Sequence, residues 1–300
     1  MQAASCGLFF RGQMDFRAIF AGVAFVAMWS SAFTSARIAV ADAPPFLLLS
    51  VRFLVSGALA LLIGRALGQR ISLNRRQWIA VAVFGVCQNG IYLGANFMAL
   101  QWVEASVAVI VASLLPILVA GASWAVLGEK LPPMGILGLL AGFIGVLVIM
   151  SARLSGGLDA FGLALLALGV VALTVATLAV RNAGSGGNVL MVVGLQMLIG
   201  SAVLLPVSLV HETWQINWTW SLALAFTYIT LVPGLVATVL WFWLVARIGA
   251  TRAATFHFLN PFFGVAVAAL VLSESLSLRD AAGVAVIMAG ILAVQLSRRA

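Results

Sequence analysis

Ten apolar runs, most about twenty residues long, follow one another with only short polar breaks. They are Phe16–Ala39, Phe46–Leu62, Trp78–Leu100, Val103–Leu127, Met134–Met150, Phe161–Val180, Val189–Val210, Trp220–Ala246, Ala253–Leu272 and Leu278–Leu296. A helix of roughly 20 apolar residues crosses the hydrocarbon of a bilayer, where only helices and closed barrels satisfy their own backbone. Barrel strands alternate polar and apolar residues, and these runs do not. The expected fold is therefore an all-α integral membrane protein of ten transmembrane helices. The breaks are turn-formers such as Asp42-Ala43-Pro44-Pro45 and the stretch from Gly128 to Pro133.

Water is a poor solvent for such a chain. Apolar side chains make up 64% of its 300 residues and charged ones 8%, against about 25% charged in an ordinary soluble domain. The net charge is +8, but the cations fall one or two at a time between apolar runs. No basic face forms, so no nucleic-acid partner is expected. Cys6 and Cys87 lie far apart, which offers neither a disulfide framework nor a metal cluster, and no cofactor is expected. Residues 1–15 read as a tail. The short run Cys6–Phe10 is too small for a signal core, and Met14 is an alternative start.

Lys and Arg in the short loops set the orientation. With the N-terminus in the cytoplasm, that side receives Arg11, Arg17, Arg65, Arg70, Arg75, Arg76, Lys130, Arg181, Arg247, Arg252, Arg298 and Arg299. The opposite side receives Arg37, Arg153 and Arg279, and Arg52 falls inside a span. This asymmetry places both termini in the cytoplasm. Trp214, Trp218 and Trp220 form an outer aromatic belt.

A shift of 145 residues superimposes the chain on itself without gaps: Pro116 meets Pro261, Glu129 meets Glu274, Gly138 meets Gly283 and Gly145 meets Gly290. Phe97 meets Phe242, Ala105 meets Ala250 and Ser106 meets Thr251. Shared Pro and Glu carry the signal, since Glu is rare here. The units are 16–152 and 160–297, five spans each. Five is odd, so the second copy enters from the opposite side, with Glu129 in a cytoplasmic loop and Glu274 in an external one. In inverted repeats the substrate site usually lies near the midplane between the halves.

The pattern Ala105-Ser106, Leu115-Pro116, Gly128-Glu129-Lys130-Leu131, Gly138, Gly142 and Gly145, with its echo Ala250-Thr251, Asn260-Pro261, Ser273-Glu274, Gly283 and Gly290, resembles the EamA-type permeases of the drug/metabolite transporter superfamily. Pro45 followed by Arg52-Phe53, and Trp29-Ser30-Ser31, fit as well. The resemblance implies a ten-helix inverted-repeat exporter of small metabolites, often amino acids, in a bacterial inner membrane. The second half carries Gln196 roughly where the first has Arg52, so a symmetric role for that arginine is not implied.

Polar groups at membrane depth face a cavity or another helix. In span three Gln88, Tyr92 and Asn96 recur every four residues and share a helical face, as cavity wall or as interhelical glue. Span one offers Trp29, Ser30 and Thr34. Span four offers Ser113, span six Thr177 and span eight Tyr228 around Pro233. Span nine offers Phe256, His257 and Asn260. These residues are the expected substrate cavity, enclosed by spans one, three, four, six, eight and nine. Pro116, Pro233 and Pro261 should kink their helices. Ahead of Pro261 the His257 carbonyl loses its helical partner and is expected free for a ligand. His257 reads as a proton relay or as a satisfied hydrogen-bonding group. Arg52 stands roughly 10 Å along its helix from Pro45 at 1.5 Å per residue. It either snorkels outward or meets a substrate carboxylate, and a structural or gating role is expected. Glu129 and Glu274 read as caps on neighbouring helix N-termini.

Gly138 and Gly142, with Gly283 and Gly290, offer close backbone approach, either within one chain or in a dimer; a monomer is expected. An intramembrane enzyme would need motifs such as H-E-x-x-H or G-x-S-x-G, which the sequence lacks, and a sensor would need an output domain. The expected activity is export of hydrophobic or aromatic amino acids by alternating access. No carboxylate lies at the centre of a span to couple it. An exporter of lipophilic cations and a proton-coupled metabolite antiporter are the rivals.

Overall fold

The computed structural model describes residues 15–103, 108, 111–151, 159–180, 188–272 and 278–297. Among the described residues the secondary structure is helical throughout. The helices are α1 (Phe16–Asp42), α2 (Pro45–Ala66), α3 (Arg75–Ala99), α4 (Leu115–Leu127), α5 (Pro133–Met150), α6 (Ala160–Val180), α7 (Val189–His211), α8 (Trp220–Ile248), α9 and α10 (Leu278–Leu296). α9 is built of three consecutive pieces, Ala250–Ala254, Thr255–Leu259 and Asn260–Leu272. α1, α2, α3, α6, α7 and α8 are long and apolar enough to cross a membrane. Leu115–Leu127, Pro133–Ile149 and Ala281–Leu296 are shorter apolar helices. Glu274 lies outside the described residues.

Local chemistry sets the helix ends. Asp15 caps α1 by accepting the Ala18 amide at 3.1 Å. Asn74 and Gln77 open α3 as a reciprocal capping box at 2.9 Å each way. α2 and α5 each begin on a proline, whose missing amide hydrogen costs nothing in a first turn. Gly128 ends α4 with φ 66°, a left-handed conformation that suits a residue without Cβ. Beyond it the Glu129 amide turns back to the Ser123 carbonyl.

The 145-residue shift reappears as geometry. α3 contains a π-helical stretch at Gly85–Leu93 and α8 one at Thr230–Val236, and the two stretches begin 145 residues apart. In α8 the bulge absorbs Pro233. Pro261 follows a 3₁₀ segment at Thr255–Leu259, and Pro116 follows a turn at residues 113–114. The 3₁₀ segment corrects one expectation: the His257 carbonyl is not free, because the Asn260 amide donates to it.

The most extensive helix contacts join α5 to α10 and α2 to α7. A methyl group at Gly138, Gly290, Gly145 or Gly283 would come within 2.6–2.9 Å of the facing glycine's carbonyl oxygen, in the pairs Gly138·Gly290 and Gly145·Gly283. The shift exchanges these two contacts, so a pseudo-twofold axis passes between antiparallel α5 and α10. The small-residue stripe is thus spent within the chain. α2 and α7 also run antiparallel. Gly57 abuts Gly194, while the Ser201 hydroxyl donates to the Ser50 carbonyl at 2.9 Å and the Ser50 hydroxyl to the Ser201 carbonyl at 3.2 Å. Each of these helices is capped from beyond the other's end. Glu212, after α7, accepts the Phe46 and Leu47 amides at 2.8 and 2.9 Å. Gln69, after α2, accepts the Leu190 amide at 3.0 Å.

The remaining helices exchange partners between the repeats. α1 packs on α8 and α9, and its counterpart α6 packs on α3 and α4. Polar clips hold α1 to α8 along its length. Asp15 pairs with Arg247 at one end, and this guanidinium holds the Asp15 carboxyl below the usual carboxylate range. At the other end Asp42 accepts the Asn217 side-chain amide at 2.9 Å and the Thr219 hydroxyl at 2.7 Å. Midway, the Ser31 and Tyr228 hydroxyls share a hydrogen bond of 2.6 Å.

Candidate substrate site

Two narrow chambers meet at Trp29, which lies midway along α1 and lines both. The first is walled by Trp29, Phe33, Arg52, Tyr92, Asn96, Phe97 and Pro233, drawn from α1, α2, α3 and α8. The second is walled by Phe25, Trp29, Phe84, Gln88, Leu173, Thr238, Trp241 and His257, from α1, α3, α6, α8 and α9. Their volumes are about 20 and 10 Å³. One water needs roughly 10–15 Å³ on this measure, so each chamber has room for little more than one water. Both chambers draw on both repeats. The first lies toward the C-terminal ends of α1 and α3, the second toward their N-terminal ends.

Aromatic stacking makes the division between them. The Trp29 ring lies nearly parallel to Tyr92, with centroids 6.4 Å apart and planes at 10°. Its other neighbours are Phe25 at 5.6 Å and the His257 ring, edge-on at 6.1 Å. Trp241 stacks on Phe25 at 4.9 Å. Such rings present apolar faces and carry polar edges, of which His257 Nδ1 is already engaged by Asn260.

Each wall includes a residue with a buried polar atom that lacks a partner, Nε of Arg52 in the first and Oε1 of Gln88 in the second. Arg52 is 3% exposed, so it does not snorkel. Its guanidinium carbon sits 5.3 Å from the Phe53 ring, and no described carboxylate pairs with it.

Of the residues singled out in the sequence, Trp29, Arg52, Gln88, Tyr92, Asn96, Pro233 and His257 line a chamber. Gln88 nevertheless parts from Tyr92 and Asn96: a shared helical face delivers it to the other side of Trp29. The Asn96 side-chain amide donates to the Tyr92 carbonyl at 2.9 Å, leaving its oxygen available. Ser30, Asn260 and His257 form a buried polar chain, Ser30 to Asn260 at 3.0 Å and Asn260 to His257 Nδ1 at 3.1 Å. This chain stands behind the wall, with only His257 reaching the second chamber. Tyr228 is engaged with Ser31. Phe256 is not a wall residue, because its ring fills the space beside Gly22. Thr34, Ser113 and Thr177 line neither chamber; Thr177 is fully buried with an unpartnered hydroxyl. Among the described residues α4 contributes nothing to either wall, and α2 enters through Arg52. Gln196, near the position equated with Arg52, instead accepts from Asn89 Nδ2 with its side-chain and backbone oxygens. Glu212 caps a neighbouring span, α2, and was not among the residues singled out in the sequence. Its position just past an apolar run was the one available signal.

This two-fold arrangement has relatives. The EamA-like transporter family model matches residues 16–151 and again 160–296. The uncharacterized transporter YvbV of Bacillus subtilis is 28% identical over 277 residues, which span 92% of this chain and 90% of that one. The aromatic amino acid exporter YddG of Ancylobacter novellus is 33% identical over 135 residues, 45% of this chain and 46% of its own. A solved crystal structure superimposes with a TM-score of 0.77 at 24% identity, over 93% of this chain and 96% of the other, a likeness of fold. With the family pattern found twice, over nearly all of its length, the chain belongs to the EamA-like transporter family within the drug/metabolite transporter superfamily.

Proposed function

We propose that the protein exports hydrophobic or aromatic amino acids across a bacterial inner membrane by alternating access. Its ten helices then span the bilayer as two inverted repeats, with both termini cytoplasmic, and a single chain is the transporting unit. The observation that carries this reading is Trp29. It sits between two aromatic-walled chambers, one toward each end of the molecule, and each is built from both repeats. A ring that closes both chambers can, by tilting, join the substrate to either one. Partial similarity to an aromatic amino acid exporter points to the same substrates. Lipophilic cations fit the first chamber badly, because Arg52 lies in its wall.

Counterflow in proteoliposomes loaded with phenylalanine, tryptophan, leucine, lysine or ethidium tests the reading. Exchange of the first three well above lysine and ethidium is expected. Preferred exchange of the dye, or no exchange of any amino acid, overturns it. A pH gradient that by itself drives accumulation overturns the uncoupled mechanism.

A further inference from the structure

We infer that Arg52 is the anchor for the substrate's anionic group, and that the first chamber recognises an aromatic carboxylate without reading its amine. This inference rests on the chamber being the substrate site. The guanidinium is buried in the chamber wall, its Nε has no partner, and no described carboxylate neutralises it. A buried cation is costly unless paired, and an arginine fork suits a carboxylate held by two parallel hydrogen bonds. Trp29, Tyr92 and Phe97 give the same wall an apolar, aromatic lining, which an opened chamber would offer to a ring. Nε lies beside Gly234, where a methyl group would stand 3.6 Å from it in ordinary contact and 2.8 Å from the Ile229 carbonyl oxygen.

The same wall holds no charged partner for an ammonium group. Among its described residues there is no Asp or Glu, and its uncharged polar side chains are Trp29, Tyr92 and Asn96. The carboxylate of an amino acid is thus paired on entry while its ammonium is only weakly compensated. An aromatic acid that lacks the amine makes the same arginine pair at a smaller desolvation cost.

Three ligands of one shape separate the terms: phenylalanine, 3-phenylpropionate and phenethylamine. Each is tested by thermal shift of the purified protein in nanodiscs, with proteoliposome flux alongside. In the wild type, 3-phenylpropionate should stabilise at least as strongly as phenylalanine, and phenethylamine at least tenfold more weakly in concentration. Arg52→Gln should abolish the preference for the carboxylates, while Arg52→Lys, verified as folded by size exclusion, should retain part of it. Equal binding of the amine, an unchanged preference in Arg52→Gln, or no carboxylate-dependent shift in the wild type each overturns the inference. If the carboxylates bind through Arg52 but no amino acid is exchanged, the inference stands and the amino-acid reading falls. If amino acids are exchanged equally well by Arg52→Gln, the outcome is the reverse.

Discussion

Asn96 shows what a single polar side chain reveals from sequence and what it hides. Its residue type, deep in an apolar run and four residues from Tyr92, marks it as facing something other than lipid. The structure shows that it does two things at once, donating to the Tyr92 carbonyl and lining the chamber. Its backbone bond is a local one within its own helix, to the carbonyl four residues back, and joins no second helix, so Asn96→Ala should fold. Its free oxygen should matter more to flux. A loss of about 1.4 kcal/mol in ligand interaction is roughly tenfold in affinity. A drop of that order in proteoliposome exchange, at unchanged size-exclusion profile, is expected; wild-type exchange would remove Asn96 from the site. Arg52 was less legible. Its distance from Pro45 allows a long side chain to reach either water or the interior, and only the packing around Gly234 and Phe53 decides for the interior. The seat of Phe256 was hidden too, because its partner Gly22 is more than two hundred residues away in the chain.

Among the elements, proline and glycine carried the readable information. Pro261 announced a break in its helix, but not that a 3₁₀ segment would re-pair the His257 carbonyl. The π-helical stretch in α3 has no proline to announce it. Helix capping across the dyad was hidden too, since nothing in an isolated segment says that Glu212 faces the first turn of α2. The glycine pattern was clear as a tendency to close packing, and the structure names the partner. Gly138→Val puts two methyl groups against the Gly290 carbonyl and has to part α5 from α10. Overpacking of this kind costs about 1–3 kcal/mol, and here no side chain can move aside to relieve it. A lowered melting temperature in detergent is expected. Gly121→Val, a glycine with nothing within 4 Å of its added carbon, should change the melting temperature far less; equal losses would place the strain elsewhere.

At the scale of the whole molecule, the repeat was legible in the chain but the exchange of partners was not. Self-alignment equates α1 with α6; it cannot say that each packs on the helices of the other repeat. That exchange defines what can move. α1, α8 and α9 form one group, clipped by Ser30–Asn260, Ser31–Tyr228 and Asp15–Arg247. α3, α4 and α6 form its symmetric counterpart. The antiparallel pairs α2·α7 and α5·α10 lie on the axis between them, and the chambers lie between the two groups. On the proposed alternating-access mechanism, rocking one group against the other would open one chamber as it closes the second, with Trp29 as the moving boundary. Single cysteines at Ala32 in the first wall and Leu173 in the second report this motion, with Cys6 and Cys87 replaced by Ser. A membrane-impermeant maleimide should reach Ala32→Cys from outside the cell and Leu173→Cys only from the cytoplasmic face of inverted vesicles. Conditions that raise one rate should lower the other, because both probes read a single equilibrium. Rates that rise together, or two probes labelled from the same face, would show that the chambers belong to a pore or a static cleft and not to two alternating ends of one passage.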